Sequence, residues 1–330
     1  MKLQSDFFEL DYPEYPINRK IRLIELFSGV GAQAKSLEIL GVKFEHWKTC
    51  EWAYNSIIAY NAIHMKDKTD YAKDMTKEEL LAYLNGNISI DYNKPADLTK
   101  KSYEWLKSCY NSCKANHNLM NIMNVHADDL QIEGQENNTY LLTYSFPCQD
   151  LSLAGKRAGM SVSQAEGGTR SGLLWEVERI LKELHNKGKH IDILIMENVP
   201  QVIQSGSIKD FQKWRYTLEQ LGYTNYCDVL NSKNYGIPQN RQRCFMVSIF
   251  GEYHYEFPLK LKLGYKVEHF LENEVDKKYY LSDKMIKFIT SEDNKHQGSL
   301  QQAIVNKDVS QTITTREGNT RAQESNYICH

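Results

Sequence analysis

The chain has 330 residues, of which 41% are hydrophobic and 25% charged, a balance that belongs to globular proteins and excludes disordered and low-complexity classes. No apolar run approaches the length of a membrane span, and the start Met1-Lys2-Leu3-Gln4-Ser5-Asp6 lacks the basic-then-apolar layout of a signal peptide, so a cytoplasmic location is expected. The net charge of −2 neither requires nor excludes a nucleic-acid partner, since binding one needs a local basic cleft and not a basic total. The elements begin with Arg22–Phe27, an apolar strand ending in a glycine turn, and Ala32–Leu40, a helix by its apolar spacing. A strand at Phe44–Thr49 and a helix from about Ala53 follow. Residues 66–122 break the rhythm: they are rich in Lys, Asn and Tyr, and read as an external insertion with helices at Lys77–Leu84 and Lys101–Ala115. The alternation resumes with a strand at Leu141–Ser145 and an amphipathic helix at Gly172–Leu184. Next come a nearly all-apolar strand at Ile191–Met196, a helix at Phe211–Leu221 and a last apolar strand at Cys244–Phe250. This order predicts an α/β fold with a doubly wound, mostly parallel sheet.

The seven cysteines are odd in number and scattered, which argues against a disulfide framework. Cys109 and Cys113 share a predicted helix face, but no second Cys/His pair at zinc spacing accompanies them. They are expected to be buried thiols, and no metal is expected.

Four short motifs carry chemistry. The first is Glu25-Leu26-Phe27-Ser28-Gly29-Val30-Gly31, a glycine turn between strand and helix, with Glu51 and Trp52 at the end of the next strand. Such a turn lets a ligand approach the backbone, and an acid at that strand end commonly accepts ribose hydroxyls. Position 34 is Ala, so the third glycine of the dinucleotide fingerprint is missing; alone, the turn also reads as purely structural. The second is Ser145-Phe146-Pro147-Cys148-Gln149, a cysteine at the carboxyl end of a strand, followed by a run containing Gly155, Lys156, Arg157, Gly159, Gly167, Gly168 and Arg170. A thiolate nucleophile needs an accessible position and nearby positive charge, and the glycine- and arginine-rich run suits a flap over a phosphate backbone. A lone cysteine is far more commonly an inert buried thiol; Pro-Cys-Gln followed by this run shifts the balance. The third is Met196-Glu197-Asn198-Val199-Pro200, where a partly desolvated glutamate would donate a proton near neutrality, or where Asn198 simply caps a helix. The fourth is Pro238-Gln239-Asn240-Arg241-Gln242-Arg243, whose paired arginines suit a phosphate or a base carbonyl, or a solvated surface.

Taken in order, these motifs over residues 21–250 resemble the C5-cytosine DNA methyltransferase family. The resemblance implies a Rossmann-like, S-adenosylmethionine-dependent methyltransferase domain over residues 1–250, carrying the 66–122 insertion. Residues 251–330 would form a partial target-recognition region. It implies that Phe27, Ser28, Gly29 and Gly31 line the S-adenosylmethionine site. Glu51 would bind the ribose, and Trp52 would pack beside the adenine. Asp129 would face the adenine amine, with the adjacent Asp128 as the other match, and Pro147 and Leu174 would complete the pocket. Cys148 would attack C6 of cytosine, Glu197 would protonate N3, Arg243 would hold O2, and Arg241 a phosphate or the flap. Double-stranded DNA is the implied partner, in a restriction system or in DNA protection of a phage or host. Two further family motifs are not legible after residue 250, although Thr312–Asn319 resembles the threonine-rich end of the recognition region. The expectation is a second polypeptide that supplies them, or a truncated frame with weak cofactor binding; a diverged tail is the third explanation. The competing functions are a non-catalytic DNA-binding remnant, an RNA cytosine methyltransferase and, from the glycine turn alone, a nicotinamide oxidoreductase.

Overall fold

The computed structural model describes residues 12–147, 170–204, 206–290, 304–305, 308–312 and 326–327. The chain forms two compact units, Met1–Asp228 with Cys244–Glu256, and Val229–Arg243 with Phe257–His330. Among the described residues no helix is long and apolar enough to cross a membrane.

The first unit is built on a six-stranded sheet. Its strands are β1 (Lys20–Leu26), β2 (Phe44–Cys50), β3 (Asn138–Tyr144), β4 (Ile193–Asn198), β5 (Tyr223–Asn231) and β7 (Gln242–Phe250), in the order β2-β1-β3-β4-β7-β5; the last three residues of β5 and the first two of β7 are counted with the second unit. Neighbours from β2 to β4 are parallel, and β7 runs antiparallel to β4. The sheet is therefore doubly wound and mostly parallel, as its sequence pattern implies. All seven residues of β3 are buried, as befits a central strand covered on both faces. On one face Leu23 of β1 and Leu141 of β3 pack with Ala34 and Leu37 of α1 (Ala32–Ile39). Tyr144, three residues beyond Leu141, faces the other way by strand alternation. There its hydroxyl accepts from the indole N–H of Trp214 at 3.0 Å, on α6 (Ile208–Gln220).

At the amino ends of the strands, buried Asp192 accepts from the Tyr15 hydroxyl and the Arg19 guanidinium at 2.8 Å each, and from the Tyr140 N–H at 2.8 Å. A buried carboxylate with three donors is satisfied, and removing its cation would leave an uncompensated charge worth about 3–5 kcal/mol.

The 66–122 segment holds a small core of its own. After α2 (Tyr54–Tyr60) comes a π-helical turn, Asn61–Met65. Helix α3 (Lys77–Leu84) starts at a Thr76/Glu79 capping box, and α4 (Tyr103–Ala115) at Ser102, whose hydroxyl accepts from the Trp105 N–H. Leu80, Leu84, Leu106, Cys109 and Cys113 pack together with Ile57 of α2. Both cysteines are buried.

In the second unit, β6 (Gln239–Asn240) pairs in parallel with β9 (Ser310–Gln311), and β8 (Ile304–Val305) with β10 (Asn326–Tyr327). Helix α7 spans Asp283–Thr290.

Candidate active site

Parallel winding fixes where the motifs go. In a doubly wound sheet the connections leave β1 in opposite directions, and the carboxyl ends beside that switch point form the ligand crevice. Here β1 lies between β2 and β3, in register Leu26↔Cys50 and Leu26↔Tyr144. The glycine turn leaves β1, Glu51 follows β2, Ser145-Phe146-Pro147 leaves β3, and Glu197-Asn198 ends β4.

The glycine turn is held by backbone bonds. The Phe27 and Ser28 N–H groups donate to the Cys50 carbonyl at 2.8 and 3.3 Å, and the Gly31 N–H donates to the Ser28 carbonyl at 2.9 Å. Phe27, Gly29 and Gly31 all have positive φ, at 58°, 54° and 82°. At Gly31 a Cβ would lie 2.4 Å from His64 Nε2 and 2.7 Å from Tyr60 Cε2, whereas at Gly29 it would meet nothing within 4 Å. One glycine is needed for packing, and the other leaves open space beside the backbone.

Glu51 locks this turn to β2. One carboxylate oxygen accepts from the Gly29 N–H at 2.8 Å and the other from the Ala53 N–H at 2.8 Å. Burial pushes the Glu51 pKa above the ordinary carboxylate value, against the opposite pull of the Ala53, Gly29 and Trp52 N–H groups. A carboxylate has about four lone-pair sites, so beside these three N–H donors about one remains for a ligand hydroxyl. Asn118, buried at the end of the helical insertion, grips the Glu51 main chain: its Oδ1 accepts from the Glu51 N–H at 3.0 Å and its Nδ2 donates to the Glu51 carbonyl at 2.9 Å. Sequence reasoning did not single out Asn118, and no local signal marks it. Trp52 is half-buried, and its carbonyl accepts from the Ser89 N–H at 2.7 Å.

The loops after β3 and β4 are joined by Asn198. It is 3% exposed; its Nδ2 donates to the Phe146 carbonyl at 3.1 Å and its Oδ1 accepts from the Val199 N–H at 2.9 Å. Asn198 thus serves as a clamp on the segment that leads to Cys148. Gln33 of α1 adds a second tie, donating to the Ser145 hydroxyl at 3.1 Å. Pro147 is half-buried, and Glu197 is half-buried opposite Phe245 in the β4–β7 ladder. Leu174 is fully buried at the first turn of α5 (Leu174–Asn186). Cys148 and the flap from Gly155 to Gly168 lie outside the described residues; Arg170 begins the 3-10 turn Arg170–Leu173 that leads into α5.

The other site residues sit as follows. Asp129 is exposed on the 3-10 turn Ala127–Leu130, and its carboxylate accepts from the His126 N–H at 2.7 Å. Asp128 pairs with Lys187 at 2.5 Å, and that ammonium holds its carboxyl below the usual range. Arg241 and Arg243 belong to the second unit. There the Arg241 carbonyl accepts from the Ser232 N–H at 3.1 Å, and Arg243 Nη1 donates to the Gln242 carbonyl at 2.7 Å. The same unit ties the motif's first residues to Ser310–Thr312: the Ser310 N–H donates to the Pro238 carbonyl at 2.9 Å and the Thr312 hydroxyl to the Asn240 carbonyl at 2.9 Å.

A sequence profile of the C-5 cytosine-specific DNA methylase family matches residues 75–328. The chain belongs to this family. It is 34% identical over 293 residues to the orphan methyltransferase M.SssI of Spiroplasma monobiae, covering 86% of this chain and 73% of that one. It is 35% identical over 272 residues to the type II methyltransferase M2.ScrFI of Lactococcus lactis, covering 81% and 71%. Among solved structures, a Spodoptera frugiperda DNMT2 mutant matches with a TM-score of 0.56 at 15% identity, over 92% of this chain and 72% of that one. The S. pombe Dnmt2 methyltransferase matches with a TM-score of 0.51 at 16% identity, over 88% and 69%. At such identities the structures establish a common fold, while the relatives and the profile establish a DNA methyltransferase. Membership and fold together imply S-adenosylmethionine as the methyl donor. The site fits that group: Ser28 Oγ is buried with no hydrogen-bond partner among the described residues, Gly29 leaves open space, and Glu51 stands beside both.

Proposed function

We propose that the chain methylates C5 of cytosine in double-stranded DNA through a covalent Cys148 adduct, in a restriction-modification or DNA-protection setting. The observation that supports this most is the paired arrangement at the carboxyl ends of parallel strands. The Gly29–Glu51 turn would face the cofactor, and the Asn198 clamp holds the segment that leads to Cys148 one strand over. Phe27, Ser28, Gly29 and Gly31 would line the cofactor pocket, with Glu51 on the ribose, Trp52, Asp129 and Pro147 around the adenine, and Leu174 behind. When bound, S-adenosylmethionine supplies an electrophilic methyl group.

The protein's own groups make cytosine able to accept it. C5 is a poor nucleophile. Addition of the Cys148 thiolate to C6, with Glu197 delivering a proton to N3, moves electron density onto C5 as in an enamine. Arg243 would hold the base O2, and Arg241 a phosphate or the flap. Once C5 has taken the methyl group and lost its proton, the N3 proton returns to Glu197, the C6–sulfur bond breaks and the thiolate leaves, restoring the aromatic ring. These ring atoms are out of reach in a stacked duplex, so the base must swing out into the pocket. In this reading residues 1–250, with the 66–122 insertion, carry catalysis, and residues 251–330 contribute to target recognition.

Incubation with S-adenosylmethionine and mixed-sequence duplex DNA carrying 5-fluorocytosine tests the proposal. The fluorine cannot leave as a proton does, so the wild-type chain should form a denaturation-resistant adduct, and Cys148→Ser should form none. Failure with every duplex would overturn the reading; an adduct with RNA alone would change the substrate.

A further inference from the structure

We propose that Glu38, His46 and His64 form a binding site for a single divalent transition-metal ion of the zinc class. They come from three elements of the first unit: α1, β2 and the π-helical turn after α2. One ligand atom from each lies within 4.8 Å of the other two. Ligand atoms on a tetrahedral zinc ion at about 2.0 Å stand about 3.3 Å apart. The three would have to draw together by at most about 1.5 Å, within reach of side-chain torsions. Two imidazoles and one carboxylate form a donor set suited to zinc.

The hydrogen bonds around the imidazoles prepare them as ligands. The Tyr60 hydroxyl donates to Glu25 Oε2 at 2.6 Å, which leaves its oxygen to accept. His46 Nδ1 is 2.8 Å from that oxygen, so it carries the proton and presents the lone pair of Nε2. His64 Nε2 is 3.0 Å from the Val30 carbonyl and must donate to it. A ligating histidine commonly gives its other N–H to a backbone carbonyl in this way. That assignment turns His64 Nδ1 toward Glu38 Oε1, 3.0 Å away. A lone pair facing a carboxylate is repulsive unless a positive centre lies between them. A proton would serve, and so would a metal ion with His46 Nε2 as its third ligand. The π turn that presents His64 is a rare geometry that recurs at functional sites. Because His64 also holds Val30, the ion would brace the loop between Gly29 and Gly31 from behind.

The test uses the full chain, stripped with a chelator, and Zn²⁺ or Co²⁺ as the probe. Competition against a chromophoric chelator should give one Zn²⁺ per chain, weakened at least about tenfold in His46→Gln and in Glu38→Gln. Glu38 is exposed, so its amide variant preserves the fold, which circular dichroism checks. Co²⁺ should give the visible bands of a tetrahedral nitrogen–oxygen site without sulfur-to-metal charge transfer. Binding that is absent, unchanged in Glu38→Gln, or marked by sulfur charge transfer would overturn the proposal in favour of a proton at His64 or of thiol ligation.

Discussion

Gly29 and Gly31 lie in the same turn with similar backbone strain, yet alanine should affect them differently. A left-handed residue with a Cβ costs about 1–2 kcal/mol, and a stiffer unfolded chain returns about 0.4–1 kcal/mol. Gly29→Ala meets nothing within 4 Å, so its net cost should be about 1 kcal/mol. Gly31→Ala adds contacts of 2.4 Å to His64 and 2.7 Å to Tyr60, where carbon atoms rest at about 3.5–4.0 Å. Tyr60 is 1% exposed and its hydroxyl is committed to Glu25, so it cannot swing aside. Overpacking of this kind adds about 1–3 kcal/mol, for a total of about 2–4 kcal/mol. Urea unfolding measures both variants, and calorimetry measures S-adenosylmethionine binding. Gly29→Ala should lose binding out of proportion to its small loss of stability, because its methyl fills the space kept for the ligand. Equal destabilisation by the two variants, or a Gly29→Ala chain with wild-type affinity, would refute the reasoning.

Two other outcomes follow from buried hydrogen bonds. Asn198→Ala removes the donor to the Phe146 carbonyl and should cost about 1–3 kcal/mol; it should also lower kcat for methyl transfer with little change in KM for the cofactor, which steady-state kinetics would separate. Burial, chiefly, pushes Tyr15 from 10.0 up to about 12. The folded chain therefore keeps this proton longer than the unfolded chain does, so the stability it contributes is intact below pH 10 and is lost as pH rises toward about 12. Tyr15→Phe should flatten that alkaline fall in a urea–pH series, and an unchanged slope would exclude Tyr15 as its source.

The elements that were legible in the sequence are those whose local signals agree with their burial. Helix α3 has the bounds Lys77–Leu84 read from its pattern, because a capping box starts it and Leu80 and Leu84 share one buried face. Strand β5 was not anticipated. Its sequence YTNYCDVLN is polar, and most of its residues are half-buried, so it shows neither an apolar run nor strict alternation. The direction of β7 was also hidden. Its residues Cys244–Ile249 are as apolar as those of a parallel strand, and side-chain pattern records burial without recording which way the chain runs. The antiparallel ladder with β4 becomes visible only in the register that sets Asn198 opposite Cys244.

For the site, the same distinction separates groups at strand ends from groups that support them. Glu51 was legible because it directly follows a strand, and the fold brings strand ends together; its bond to the Gly29 N–H follows from parallel pairing of β1 and β2. Asn118 is as closely tied to that carboxylate's backbone, but it reaches Glu51 across 67 residues, through an insertion whose own packing decides where it lands. Asn198 shows the opposite failure. Its place after an apolar strand was noticed and a helix cap was one reading, yet its amide donates across to the Phe146 carbonyl on the neighbouring strand's exit. A side chain at a strand end has two neighbours available, its own following turn and the adjacent strand's, and sequence displays only the first. Supporting contacts of this second kind fix the exit of β3 that leads toward Cys148.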